Sequence, residues 1–503
     1  MFGHYGDVSR YAQQRGVCRQ WVYREAARVQ QHLDKPQQTI QRLRQQVQEL
    51  RPRQAELEKR LAVAVVLDPE KQQEFACVRQ ALGVSLPVCW NQLRVLIPGQ
   101  PQSVATLGRA AKAAGDQAGR LLPVLDAWAQ ARLRDAAVDE IYVTAPVLMV
   151  VEQESLCWMT GRLSTEVTGD AWAQTLRPFP NLEQVARDGG AGLAKGVARI
   201  NAERQAQGRP LLVDQGDHFH ALRGGRLGLR QEELRTRQAF AAAETAQKAL
   251  EACRRQGTDE RRATIHANAA WRRAEVAMAT WSARERVWQQ TKEALRLFTP
   301  QGELNTRAQA EAVLAETLPQ LPDAFAKIKR SLPQPEMLNH LDHVHRQLEA
   351  LPVPAAVKEA VVCQEGLRRR PDLLRGAGTP AAALRGMLLA CAVIVAKAGA
   401  AGQPAQVAVG EILRRAYRAS SLVECLNSVL RMQQARHRNL TQSLLDLKRL
   451  YWNCHTFRTG RRRRTTPYQR LGLPWPEGLR WWDLLKLTPE QLRDKLSTAK
   501  KTE

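Results

Sequence analysis

The chain has no Cys-x-x-Cys pair, and its nine cysteines, at positions 18, 77, 89, 157, 253, 363, 391, 425 and 454, are scattered and odd in number. Neither a disulfide framework nor a zinc site is expected from them, and a reducing cytoplasm fits best. Long apolar runs are also missing. The most apolar stretch, MLLACAVIVAKAGAA from Met387, falls short of the ~20 residues of a bilayer span and contains Lys397. No signal-like segment opens the sequence, so neither export nor a membrane partner is expected. Acidic residues are scarce beside basic ones, 50 against 75, which leaves a net charge of +25 over 503 residues. Such an excess favours a polyanionic partner, nucleic acid before an anionic membrane. The length allows roughly two to four domains with real cores.

The N-terminal third reads as DNA-binding and pairing apparatus. In DVSRYAQQRGVCRQWVYREAARVQQHL, a helix to Arg15, a turn at Gly16 and a second helix from near Cys18 have helix-turn-helix form. Val17, Trp21, Val22 and Ala26 are expected inward. Arg19, Gln20 and Arg24 are expected outward, where a recognition helix reaches base edges and phosphates. An ordinary surface helix pair shares this pattern, but the glycine turn and basic face favour DNA. Next, Ile40, Leu43, Val47, Leu50, Leu57 and Leu61 follow three-four spacing, with polar Gln54 at a seam position. That is a heptad seam, read as a short coiled coil or a helical hairpin. It serves dimerisation or packing against the chain's own helices. Pro52 is expected to interrupt it. A second candidate helix-turn-helix spans about 73–118, with Gly83 at a turn and Arg109 and Lys112 exposed.

From Val138 the pattern turns β-rich. VDEIYVTAPVLMVVEQESLCWMTGRLS predicts three short strands, with Pro146 and Glu154-Ser155 near the turns. TGDAWAQTLRPF predicts a helix capped by Thr168 with Trp172 on its apolar side. LEQVARD is a fourth strand, AGLAKGVARINAERQAQG a helix, and RPLLVDQGDHFHAL opens with a fifth strand. Three strands, helix, strand, helix, strand is the order of a ribonuclease-H-like α/β core. Three acidic residues stand in telling settings: Asp139 in a strand, Asp188 where a strand runs through glycines into a helix, and Glu424 in the helix SSLVECLNSVLRMQQ. Phosphodiester cleavage needs charge stabilisation on an attacking and a leaving oxygen, which two Mg2+ ions roughly 3.5–4 Å apart supply. Mg2+ prefers carboxylate and water oxygens.

VDEIYV…PVLMVVEQESLCWM, ARDGGAGL, DQGDHFH and SSLVECLNSVLR…LTQSLLDLKRLYWNCHTF…GRRRRTTPYQRLGL together resemble a bacterial insertion-sequence transposase of the DDE class. The likeness is to members with a helical insertion, such as the Mutator and hAT groups. It covers about 135–473, with the insertion itself weakly matched. The Glu helix, Asn427, Arg431, Asn453, the basic run Arg461 to Arg464 and the ending from Pro467 to Gly472 carry it most specifically.

The resemblance implies that Asp139, Asp188 and Glu424 are catalytic and hold two Mg2+ ions, with Mn2+ able to substitute. Glu140 beside Asp139 is an alternative ligand, but strand alternation sends it to the opposite face. Asn427 and Arg431 share the Glu424 face, and Tyr417 is expected two turns earlier on it. The related Tyr-x2-Arg-x3-Glu signature is broken by Ser420, which stands at its Arg position. Arg431 is then a phosphate contact. Asp217 and His220 resemble a Cys/Asp-x2-His motif and are expected to support the site's rim.

The remaining segments follow. Between Arg223 and about Gly410 the chain is strongly helical, with the second long helix ended by Thr299-Pro300. In the families named, such an insertion stacks an aromatic ring on a flipped base, for which Trp271, Trp281 and Trp288 are candidates, although the seven-residue spacing of the last two also suits core packing. Arg461, Arg462, Arg463 and Arg464 are expected to track a DNA backbone. Trp475, Trp481 and Trp482 are expected to anchor the tail.

The expected architecture is multidomain α + α/β. Residues 1–35 form a helix-turn-helix, 36–70 a helical or coiled-coil linker, and 71–134 a second helical DNA-binding module. Residues 135–222 and 411–473 form a ribonuclease-H-like catalytic core, split by an all-helical insertion at 223–410, with 474–503 as a tail. The implied function is Mg2+-dependent cleavage and strand transfer at the terminal inverted repeats of a mobile element. The implied partners are double-stranded DNA at element ends and target, and further copies of the chain in a homodimer or higher oligomer. The implied location is the bacterial cytoplasm, on the nucleoid. A catalytically inactive or domesticated DNA-binding relative, and a ribonuclease-H-like nuclease without strand transfer, are the alternatives.

Overall fold

The computed structural model describes the chain except residues 1–3, 5, 64–66, 98–99, 371–373, 376–377, 437–439 and 503, and except the side chains of 34–37, 60–63, 433–436 and 501–502. The chain is mostly helical, with one small mixed sheet among the described residues. It divides into two compact units: Met1–Lys71 with Val95–Gly99, and the remainder.

In the first unit, α1 (Asp7–Arg15) ends at Gly16, whose φ of +66 favours glycine, and α2 (Arg19–Val63) follows. Val22 and Ala12 are buried between them. Trp21 is exposed, unlike its expected inward place. It is a neighbour of Val22 in sequence, and one helical step of about 100° takes it off the buried face. Arg19, Gln20 and Arg24 are exposed. The expected break at Pro52 does not occur: α2 is one 45-residue helix that also crosses the boundary expected near residue 35. Pro52 lies in a stretch of the helix, 38–59, that is exposed throughout, flanked by the strong helix formers Gln, Leu, Arg and Glu. There the lost hydrogen bond leaves a carbonyl that water can reach. Ile40, Leu43, Val47, Leu50 and Leu57 are exposed, and the side chain of Leu61 lies outside the described residues.

The second unit opens with most of helices α3 (Pro69–Ala81) and α4 (Leu86–Leu96) and with α5 (Val104–Ala129), with Gly83 in the left-handed region at the turn between the first two. Arg109 and Lys112 are exposed on α5. Strands β1 (Asp135–Tyr142), β2 (Pro146–Glu152) and β3 (Trp158–Leu163) form an antiparallel meander. Helix α6 (Gly169–Leu176), capped by Thr168, leads to β4 (Gln184–Arg187), and α7 (Ala191–Ala206) leads to β5 (Val213–Gly216). The sheet order is β3-β2-β1-β4-β5, with β4 and β5 parallel to β1. Each βα crossover needs such a helix to return the chain parallel.

The sheet is covered on both faces. Val138, Leu148 and Val150 meet Trp172, Leu193 and Val197 on one side. Ala137, Ile141, Met149 and Val151 meet Val423, Leu426 and Leu430 on the other. Gly196 is required where α7 crosses α6, because a Cβ there would stand 2.5 Å from the Trp172 Cβ.

Helices α8 (His218–Gln256) and α9 (Arg261–Ala294) form a long antiparallel hairpin. α8 starts directly after β5, inside the segment assigned to the core, and α9 stops before Thr299-Pro300. Shorter helices follow to Arg414 around a separate apolar core. One of them, Thr379–Lys397, is by length and composition apolar enough to cross a membrane, with 17% of it buried. It is longer than the apolar run read from the sequence, and Ala381, Cys391 and Val395 are its buried residues. The chain then returns to the sheet through helices Val423–Arg436 and Gln442–Cys454.

Candidate active site

Parallel pairing brings the two aspartates together. Val138 lies opposite Arg187 in the β1–β4 register, so the next residues on each strand, Asp139 and Asp188, continue side by side. β4 ends there, and Asp188 turns the chain into α7 by accepting the Gly190 N–H at 2.9 Å on its Oδ1. Carboxylate oxygens of Asp139, Glu140 and Asp188 lie within 4.8 Å of one another.

Glu140 corrects the expectation from strand alternation. It shares the strand face of Val138, which packs against α7, yet its carboxylate stands with those of Asp139 and Asp188. A Cβ on Gly190 would lie 3.3 Å from the Glu140 Oε1, so the glycine leaves room for the carboxylate. The Glu140 Oε2 is buried with no hydrogen-bond partner. Burial, then Asp188 and Asp139, push the Glu140 carboxyl up to about 7. Burial and Asp188 likewise push Asp139 up to about 6, against the Asn427 hydrogen bond. Three carboxylates with a buried, unpartnered oxygen form a donor set suited to a hard divalent cation.

Glu424 stands in the first turn of helix Val423–Arg436. Its neighbours Val423 and Leu426 are fully buried against β1 and β2, which fixes the helix over the sheet. Three residues on, Asn427 donates to the Asp139 Oδ2 at 2.7 Å. Seven on, Arg431 donates to the Glu424 Oε2 at 2.5 Å. The Glu424 carboxylate therefore engages Arg431, and also His220 at 3.4 Å, rather than the aspartates. The Arg431 hydrogen bond holds its carboxyl below the usual range, against partial burial.

Asp217 and His220 join this network. Asp217 caps α8, accepting the Phe219 N–H at 2.6 Å, and its Oδ2 contacts the His220 Nδ1 at 2.7 Å. The buried Ser420 hydroxyl donates to the same Oδ2. Burial favours the protonated acid, but the hydrogen bonds from His220 and Ser420 outweigh it and lower the Asp217 carboxyl. The Asp217 hydrogen bond in turn raises His220. The His220 Nε2 faces the Glu424 Oε1 at 3.4 Å. Ser420, which breaks the Tyr-x2-Arg-x3-Glu pattern, has this contact as its role.

Tyr417 is not on the Glu424 helix. Helix Gly402–Arg414 has ended and Val423 has not been reached, so no helical period connects Tyr417 to Glu424. The intervening strap is held by hydrogen bonds to the sheet instead. Gln184 donates to the Tyr417 carbonyl at 2.7 Å, and Arg415 to Asp135 at 2.6 Å. Tyr417 lines a cavity of about 680 Å³ together with Phe219 and Trp288.

That cavity holds the residues that motif reading missed. Arg223, Arg226, Lys292, Arg296 and Arg418 line it, and no Asp or Glu does so among the described residues. It begins beside the site, since Phe219 and Leu222 flank His220. Its cations were legible only as helical spacing, Arg223 and Arg226 following His220 at intervals of three. Burial, with Arg296 and Arg226 nearby, lowers Lys292.

The remaining expected residues fall elsewhere. Trp288 is buried against Phe325 at 5.5 Å, Trp271 packs edge-on to Phe240 at 6.0 Å, and Trp281 is half-buried. Arg461, Arg463 and Arg464 are exposed, whereas Arg462 donates to the backbone carbonyl of Glu154 at 2.7 Å. Trp475 stacks on Tyr468 at 5.7 Å, and Trp482 is buried beside Cys77 and Leu447. Comparison of the chain with protein-family models, with curated proteins and with solved structures gives no match.

Proposed function

We propose that the chain is a DDE-type transposase that binds the ends of a mobile element, cuts DNA there and joins a 3′-hydroxyl to target DNA. The observation that carries this reading is the side-by-side placement of Asp139 and Asp188 under the helix bearing Glu424. The sheet order β3-β2-β1-β4-β5, antiparallel in its first three strands and parallel thereafter, supports a ribonuclease-H-like core.

The site's own groups fit Mg2+ or Mn2+. Asp139 and Asp188 would hold it, with Glu140 within reach and Glu424 completing the set. When bound, the metal offsets charge on the attacking and leaving oxygens of the phosphodiester. Asn427 fixes the Asp139 carboxylate by hydrogen bonding one oxygen. Arg431, with His220 beside it, holds the Glu424 carboxyl below its usual range, and Arg431 adds positive charge where a phosphate would lie. The basic cavity beside His220 suits a DNA strand approaching the carboxylates.

The test is cleavage of the flanking element ends by purified protein, with and without Mg2+ or Mn2+. Asp188→Asn and Glu424→Gln are expected to abolish cutting and to leave end binding nearly intact. Binding without cleavage in any metal would favour the inactive DNA-binding alternative, and cutting by either variant would overturn the ligand assignment.

A further inference from the structure

The continuous helix α2 carries an apolar seam with no partner among the described residues, and its side-chain order names the partner that fits. Ile40 and Val47 occupy successive a positions of a heptad, with Gln54 at the next. Leu43, Leu50 and Leu57 occupy the d positions. The five apolar residues are each about half exposed, from 48% at Val47 to 58% at Leu50. Single exposed leucines need no explanation, but five in strict three-four register on one solvated helix do. β-Branched residues at a with leucine at d select a parallel pair of helices over trimers or tetramers.

We infer that α2 forms a parallel, in-register, two-stranded coiled coil with α2 of a second copy of this chain. Charge on the flanks agrees. In a parallel pair each g residue faces the e residue five positions on in the other helix. Arg53 at g then meets Glu58 at e, twice by symmetry, and Gln46 meets Arg51. No like charges face each other between Thr39 and Glu58. The antiparallel pairing of greatest overlap over this span instead sets Arg44 beside Arg51, twice by symmetry, and buries Gln54 against Leu43. Gln54 is thus the register device. In the parallel pair it faces only its own copy, where two amides can satisfy each other. Its amide nitrogen also donates to Glu58 at 2.9 Å, which holds the Glu58 side chain beside the seam. Pro52 falls at f, the position pointing away from the partner, so the ring that was expected to break the seam does not touch it. Arg19, Gln20 and Arg24 lie on the same unbroken helix, so a parallel pair presents both basic faces at one end.

The experiment uses the full-length chain and reads mass and cross-linking, so its outcome is separate from that of the proposed chemistry. Light scattering is expected to give a dimer for the wild type and about a twofold lower mass for Leu43→Glu/Leu50→Glu, with unchanged helix content because both residues are exposed. Under mild oxidation, Gln54→Cys is expected to give covalent dimers well above the wild-type background, and the outward Gln45→Cys is not. A monomeric wild type, a dimer untouched by the double variant, or equal cross-linking from positions 45 and 54 would each overturn the inference. A monomer destabilised by the double variant would place the seam against the chain's own helices instead.

Discussion

Burial first, and repulsion among Asp139, Glu140 and Asp188 second, disfavour the ionised carboxylates, and the effect has a sign that can be measured. The folded-state carboxyls of Asp139, at about 6, and Glu140, at about 7, lie above their unfolded values. Between about pH 4 and 7 the folded chain therefore binds more protons than the unfolded chain, and stability falls as pH rises through that window. Metal-free protein is expected to melt at a lower temperature at pH 7 than Asp188→Asn does, by the equivalent of roughly 1 kcal/mol, the scale of one pKa unit. The gap should narrow towards pH 5 and close or reverse in saturating Mg2+. Thermal melts across pH with and without metal check this. Glu140→Gln is expected to raise the Mg2+ concentration needed for half-maximal cutting, while a Glu140 outside the site would leave it unchanged. The sequence made Asp139 and Asp188 legible because a strand residue and a strand-end Asp-Gly-Gly are local signals. Glu140 was misplaced because the two-residue period describes Cβ direction only. A glutamate at the end of a shorter neighbouring strand can turn back towards the carboxylates, and the Gly190 gap that permits it is a tertiary fact.

Among the elements, α8 shows how packing and chemistry share one helix. Gly225 lies where a Cβ would stand 2.3 Å from the Trp288 ring, so Gly225→Ala is expected to cost about 1–3 kcal/mol by overpacking, read as a lower denaturation midpoint. Within the same turn, Arg223 and Arg226 line the basic cavity. Replacing both with Ala is expected to weaken DNA binding across sequences and to reduce the slope of log affinity against log salt by about 2. An unchanged slope would remove the cavity from the DNA path. The strands and the flanking helices α6 and α7 were legible element by element, because Thr168 capping and apolar periodicity are local. The strap from Arg415 to Leu422 was not. Read as an extension of the Glu424 helix, it is instead tied down by Gln184, Arg415 and Ser420, whose partners lie more than 200 residues away in sequence. Pro52 failed as a breaker for the converse reason. A proline penalty of about 3 kcal/mol is spread over a long helix whose other residues favour it.

For the whole molecule, Asp139, Glu140 and Asp188 cluster at one end of a five-stranded sheet, and Glu424, beyond a helical insertion of nearly two hundred residues, returns on a helix packed over that sheet. Part of the net charge of +25 lines the cavity beside this acidic centre, and further exposed cations stand at Arg461, Arg463 and Arg464 and, within the first unit, on the first turns of α2. Composition gave only the expectation of a polyanionic partner; the fold put cations and carboxylates near each other. The strand-joining step separates a transposase from a nuclease with the same site. A labelled element end with a free 3′-hydroxyl, incubated with the full-length chain, Mg2+ and supercoiled plasmid, measures that step directly. The account predicts covalent joining of the label to the plasmid that needs metal and disappears in Glu424→Gln. Metal-dependent cutting without joined product would contradict strand transfer, and joining by Glu424→Gln at the wild-type rate would contradict the site itself.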